Sequence, residues 1–380
     1  MRVALISPLF ESVPPRLYGG TERVIYNLCE GLTQAGVDVT LFASGDSKVP
    51  CRLVPVIKEA LRLKAEPVAD PYAYNLKLLA SVAERANEFD VIHNHHDYWM
   101  LPLTRMTHKP LLTTLHGRLD LPDVDEAFLP YPEAHYVSIS ESQRRPMPWL
   151  RWIKTIHHGL DLARFEFNPK PGKYLAFLGR MHDHKRPDWA IQIAKKAGIP
   201  LKMAAKIEGK EMQDYFDVHV KPHLDGRNVE YIGEISDREK SEFLGNALGL
   251  VFPINWPEPF GLVMIESLAC GTPVLGRPVG AAAEVLKDGV TGYVSLDIEE
   301  LARRVQDLES FDRVGCRQWV EKGFSLQRMT EDYIHVYRQL AGDTAGRRTR
   351  ATTPSFERRR ADRYRRNFLH SVQRVVDGNS

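Results

Sequence analysis

The chain has 380 residues, 43% of them hydrophobic and 26% charged, an ordinary globular composition at a length that favours two domains over one core. No apolar run reaches the roughly 18 residues that span a bilayer, and Met1 leads at once into a strand-length run ending at Ser7-Pro8, so neither a membrane helix nor a secretory leader is expected and the location is read as cytoplasmic. The net charge of +2 is uneven: residues 343–380 carry ten Arg against four acids, leaving the preceding body at about −4, which argues against nucleic acid as a partner of the folded core.

In chain order, the first third alternates short apolar runs with amphipathic patterns, the mark of βαβ units around a parallel sheet. Residues 3–6 read as a strand. Over 21–36 the residues Val24, Ile25, Leu28 and Leu32 fall at helical spacing, and Gly36 supplies the cap. Strands are predicted at 37–43, 91–93, 111–115, 137–139 and 155–156, with a helix over 72–87. Between 161 and 173 the chain turns polar and carries Asn168-Pro169-Lys170-Pro171-Gly172, a linker signal. A second series follows, with strands at 174–178, 201–204, 229–232, 249–252 and 273–275. Its helices are predicted over 187–197, 240–246, 262–269, 299–307 and 325–340.

The fold class expected is therefore α/β: two Rossmann-like, doubly wound domains over 1–165 and 166–325, facing each other across a cleft. A C-terminal helix over 326–342 is expected to pack back toward the first domain, ahead of a basic tail over 343–380. In open parallel sheets ligands bind beyond the carboxyl ends of the strands, so the loops at those ends hold the candidate site.

The densest signal is Glu258-Pro259-Phe260-Gly261, followed by Leu262 and Glu266 and closed by Cys270-Gly271-Thr272-Pro273. A helix opening near Gly261 separates the two carboxylates by about 10 Å, a span that suits the two ends of a nucleotide sugar. The turn also leaves the amides of Phe260, Gly261 and Leu262 unpaired at a helix N-terminus, where an anion binds readily. Arg180 and Lys185 flank a loop that follows the 174–178 strand. Two cations there can neutralise a diphosphate and stabilise charge growing on a leaving phosphate.

Gly19 and Gly20 stand at the turn into the first helix, where backbone can approach a ligand closely. The spacing is not Gly-x-Gly-x-x-Gly, so a nicotinamide fingerprint is absent there. His116 follows the 111–115 strand. His93, His95 and His96 form a polar cluster after the 91–93 strand, but alternate strand residues point to opposite faces, so a cleft wall is expected and no metal. Cys29, Cys51, Cys270 and Cys316 are scattered and read as reduced thiols. No nucleophile elbow, catalytic serine ordering or P-loop occurs.

Together these residues resemble the family-4 retaining glycosyltransferases of the GT-B fold, over about residues 1–340. The resemblance implies a nucleotide-sugar donor, UDP-linked by family frequency, held mainly by the C-terminal domain, with no cofactor and no metal. It implies that Glu266 bonds the ribose, that Glu258 meets the sugar hydroxyls, and that the Phe260–Leu262 backbone lies near phosphate and sugar. Arg180 and Lys185 would hold the diphosphate, His116 would touch the sugar near the reaction centre, Gly19 and Gly20 would approach the diphosphate, and Lys206 is a further cleft candidate. One departure stands out: the loop reads Met181-His182-Asp183-His184 before Lys185, where relatives more often carry a Glu before the lysine, and it bears on donor fit or pH response. The alternatives are a GT-B sugar-nucleotide epimerase and a non-catalytic nucleotide-sugar-binding protein. In the tail, Tyr364, Phe368, Val372 and Val375 fall near one helical face among arginines, a pattern suited to peripheral contact with an anionic membrane.

Overall fold

The computed structural model describes residues 1–346, apart from residues 17, 18, 65 and 67 and the side chains of 343–346. The basic tail and its amphipathic face lie outside these described residues. Two all-parallel sheets carry the chain. The first has the order β3-β2-β1-β4-β5-β6-β7, from β1 (Arg2–Ile6), β2 (Asp38–Ser44), β3 (Arg52–Ile57), β4 (Val91–Asn94), β5 (Leu111–Thr114), β6 (His135–Ser138) and β7 (Trp152–Thr155). The second has the order β10-β9-β8-β11-β12-β13, from β8 (Leu175–Arg180), β9 (Leu201–Lys206), β10 (Val229–Gly233), β11 (Gly249–Phe252), β12 (Val274–Gly276) and β13 (Gly292–Val294). In each sheet the strand order reverses beside the first strand, between β1 and β4 and between β8 and β11. That is where a doubly wound sheet opens a crevice.

The predicted helices at 187–197 and 262–269 and the strand at 249–252 coincide with the observed Pro187–Ala197, Leu262–Ala269 and Gly249–Phe252. Two predicted strands are displaced. The apolar pair Val137 and Ile139 suggested 137–139, but β6 begins at His135 because Tyr136 is fully buried and pairs with Trp152. β7 accordingly lies at 152–155 and not at 155–156. The sequence reading omitted β3, β13 and the helices Gly209–His219 and Arg313–Gly323.

The chain crosses between the two sheets at adjacent places. Leu160 exchanges backbone hydrogen bonds with Phe324 (2.9 Å) and Leu326 (2.8 Å), so the two crossings run side by side. The helix Leu326–Gly346 then buries Met329, Tyr333, Val336, Tyr337 and Leu340 in the same core as β1 and the helix Gly20–Gln34. The polar stretch read as a linker is pinned. Arg313 donates to Asn168 O (2.7 Å), and Arg317 donates to Phe165 O (3.0 Å) and Leu162 O (3.2 Å), which satisfies carbonyls that would otherwise be orphaned at the domain edge. Among the described residues no helix is long and apolar enough to cross a membrane.

Candidate active site

A cleft of about 450 Å³ lies between the two sheets, within the size range of small-molecule sites. The sequence singled out His116, Arg180, Lys185, Glu258, Gly19, Gly20, Lys206, Phe260, Gly261, Leu262 and Glu266. All of them line this one cleft. The two lobes approach closely at Gly20, where an added Cβ would stand 3.8 Å from Leu262 Cδ1.

The C-terminal wall is built from strand ends. Arg180 and Lys206 end β8 and β9 and are paired in register, which sets two cations side by side. Lys206 pairs with Glu208 at 3.1 Å, whereas the Nε of Arg180 is buried without a hydrogen-bond partner among the described residues. Lys185 closes a short turn, Asp183–Lys185, ahead of the helix opened by Pro187. Its ammonium pairs with the Glu258 carboxylate. Trp256 Nε1 donates to the same oxygen, Glu258 Oε2, at 2.7 Å, and the Lys185 ammonium stands 4.8 Å above the Trp256 ring. Both protein contacts fall on Oε2, which leaves Oε1 without a protein hydrogen bond among the described residues.

Gly261 sits at the N-cap of the Leu262–Ala269 helix with φ +84°, a left-handed conformation that a Cβ would strain. The amides of Phe260, Gly261, Leu262 and Val263 donate to no group among the described residues, so the helix presents its positive end to the cleft. Just over one turn on, Glu266 is buried and Oε1 accepts from Lys240 Nζ at 3.1 Å. Burial alone would push the Lys240 ammonium down, but Glu266 and Asp237 outweigh it and hold it above its ordinary range. Asp237 also pairs with Arg23 of the other lobe, tying the lobes together beside the Glu266 end of the motif.

The N-terminal wall is a row of imidazoles. His116 Nε2 lies 2.9 Å from His95 Nδ1 and stacks on His158, with centroids 5.5 Å apart. Burial pushes the pKa of His116 down to about 3, so the ring is neutral. The Asp97 carboxylate accepts the amides of His116 and Gly117, which fixes the loop. His96 turns away to Asn75 (2.9 Å) while the His93 and His95 rings lie tilted against each other with centroids 4.0 Å apart, so the three do not converge. The one grouping with metal-like spacing among the described residues is His182, Asp183 and His184, on a partly exposed turn. There, His184 lies flat on Trp256 at 5.1 Å and 8°.

Sequence reasoning missed Lys240, Trp256 and Glu22, all of which line the cleft. Lys240 had a signal: Ser236 and Glu239 form a capping box, which sets the helix start at 237 and turns Lys240 inward one turn earlier than the 240–246 prediction. Glu22 is buried in the first turn of the Gly20–Gln34 helix, and burial raises its carboxyl to about 7.

The model of the family described as Glycosyl transferases group 1 matches residues 161–324. That of Glycosyltransferase Family 4 matches residues 18–186. Among curated proteins, the chain is 24% identical to D-inositol 3-phosphate glycosyltransferase of Mycobacterium marinum, over 88% of this chain and 84% of that one. It is 25% identical to glycogen synthase of Mycobacterium tuberculosis, over 88% and 91%. Among solved structures, sucrose-phosphate synthase of Thermosynechococcus elongatus superposes with a TM-score of 0.74 at 20% identity, covering 90% of this chain and 99% of that one. Anabaena HepE in complex with UDP-glucose gives 0.70 at 15% identity, covering 89% and 100%.

Proposed function

Since the chain belongs to glycosyltransferase family 4 and has the GT-B fold, we propose that it moves a hexosyl unit from a UDP-linked sugar to an acceptor, with retention at the anomeric carbon and without a metal ion. The observation that carries this reading is the pairing of each motif carboxylate with a lysine in one cleft, Glu258 with Lys185 and Glu266 with Lys240. Each acid keeps one oxygen for substrate, and the helix N-terminus between them has amides with no protein partner among the described residues. HepE, of the same fold, was solved with UDP-glucose, which supports a donor of that class.

In this reading the diphosphate lies against the 260–263 amides. Arg180 supplies its guanidinium, and Lys185 supplies the ammonium hydrogens left over from Glu258, since an ammonium has three. Glu266 Oε2 takes the ribose hydroxyls and Glu258 Oε1 those of the sugar. His116, neutral, stands on the opposite wall to contact the sugar. The protein does little covalent work: it orients the acceptor and offsets charge as the bond from the anomeric carbon to the phosphate oxygen breaks. The acceptor oxygen bonds the same face, and its proton passes to the departing phosphate oxygen. Association of the basic 343–380 tail with anionic membrane from the cytoplasmic side belongs to the same proposal.

The test is a donor-hydrolysis screen across UDP-, GDP- and ADP-linked sugars, read by release of the nucleoside diphosphate. Release from a UDP-sugar is expected. Conversion of the donor to its epimer with no release would overturn transfer.

A further inference from the structure

Behind His116 the second wall residue, His95, is 1% exposed. Its Nδ1 faces His116 Nε2 at 2.9 Å, and its own Nε2 is buried with no hydrogen-bond partner among the described residues. Burial, with His93, His116 and His158 close by, pushes His95 well down. Both rings are thus neutral, and each carries one proton on one of two nitrogens.

The shared contact needs one donor and one acceptor. Were the His95 proton on Nε2, a buried N–H would be left orphaned and His116 would have to donate from Nε2. An orphaned buried N–H is the rarer and costlier defect, whereas a bare lone pair is tolerated. With the His95 proton on Nδ1, the contact is satisfied and His116 Nε2 accepts. The His116 proton must then sit on Nδ1, the ring nitrogen that has no protein hydrogen bond among the described residues, on a side chain that lines the cleft.

We propose that His95 is a positioning residue: it donates Nδ1–H to His116 Nε2 and so fixes His116 as the tautomer that offers an N–H to a hydroxyl oxygen in the cleft. What the N–H meets rests on the glycosyltransferase reading above; which nitrogen carries the proton does not. Stacking on His158 holds the ring plane, and Asp97 holds the backbone, so His95 alone sets the direction of donation. His96, one residue on, bonds Asn75 instead and has no part in it.

The test uses full-length protein labelled with 15N-histidine, and long-range proton–nitrogen correlation spectra in which His116 is identified by its loss in His116→Gln. The expected result is a protonated Nδ1 and a bare Nε2 on His116. His95→Asn, whose amide nitrogen takes the place of Nδ1, keeps that pattern, while His95→Leu releases it to a mixture of tautomers. Release of nucleoside diphosphate should follow: about a tenfold fall in kcat for the leucine variant, the value of one hydrogen bond, with donor KM within about threefold. The asparagine variant should recover most of the loss. A His116 protonated on Nε2 in the wild type, or an unchanged tautomer in His95→Leu, overturns the proposal. Should the leucine variant not fold, the wild-type and asparagine spectra decide it. The spectra are read without turnover, so failure of the transfer reading and failure of this proposal are told apart.

Discussion

Replacing Lys185 by alanine removes a cation that faces two anions, the Glu258 carboxylate and the leaving diphosphate of the proposed reaction. The two effects can be separated. For the reaction, a full unit of charge growing about 4 Å from the ammonium is stabilised by about 4 kcal/mol at an effective dielectric of about 20. A bond half broken in the transition state takes about half of that. Turnover should therefore fall between about thirtyfold and about a thousandfold. For the fold, Lys185 and Glu258 are 9% and 8% exposed, and the variant leaves Glu258 with only the Trp256 N–H on Oε2. Stranding that charge should cost on the order of 1–3 kcal/mol and lower the melting temperature. The double variant Lys185→Ala with Glu258→Gln removes the stranded charge, so stability should return while turnover stays low. The assay is nucleoside diphosphate release at saturating donor, beside thermal melts of all three variants. Wild-type release in the alanine variant, or turnover recovering together with stability in the double variant, would show that Lys185 only neutralises Glu258.

Glu258→Gln should lower transfer by more than tenfold while UDP affinity barely changes, whereas Glu266→Ala should weaken UDP binding about tenfold, the value of a charge-assisted hydrogen bond; calorimetric titration giving the reverse order would refute the assignment. Gly280→Ala would place a Cβ 2.3 Å from the Glu258 amide nitrogen at φ +64°, so it should cost about 2–4 kcal/mol and displace Glu258. A variant with unchanged melting temperature and turnover would show that the contact is slack. Glu22 has a folded pKa of about 7, raised by burial from 4.5. The folded state therefore holds this proton while the unfolded chain releases it, and the associated stability is complete below about 4.5 and lost as pH rises through 7. Glu22→Gln should accordingly raise stability at pH 8 by on the order of 1–3 kcal/mol and leave it unchanged at pH 4; equal melting shifts at both pH values would remove the carboxyl as the cause.

What was legible and what was not follows from how each element is stabilised. The helices Pro187–Ala197 and Leu262–Ala269 could be bounded to the residue because each begins at a turn with its own chemistry, Pro187 in one and the Pro259-Phe260-Gly261 turn in the other. The helix Gly209–His219 was invisible because Phe216 is its sole buried residue, leaving no apolar stripe to read. β3 was hidden by Pro55 and by burial that does not alternate, which an edge strand tolerates. β13 has three residues and begins at Gly292, packed against the backbone of Val274. That contact belongs to the sheet and leaves no mark in its own sequence.

By itself, then, the order of residues determined the two βαβ series, the turn chemistry at their strand ends and the types of group that gather there. Those are local matters, set by backbone propensity, by periodicity of 2 or 3.6, and by a turn's need for Gly or Pro. Only the tertiary structure decided which charges answer each other. Lys185 meets Glu258 across 73 positions and Trp256 shares the same oxygen; Lys240 meets Glu266 across 26; His95 meets His116 across 21. Such pairs depend on strand order and on the angle at which two lobes close, and electrostatic attraction falls with distance in space, to which distance along the chain is no guide.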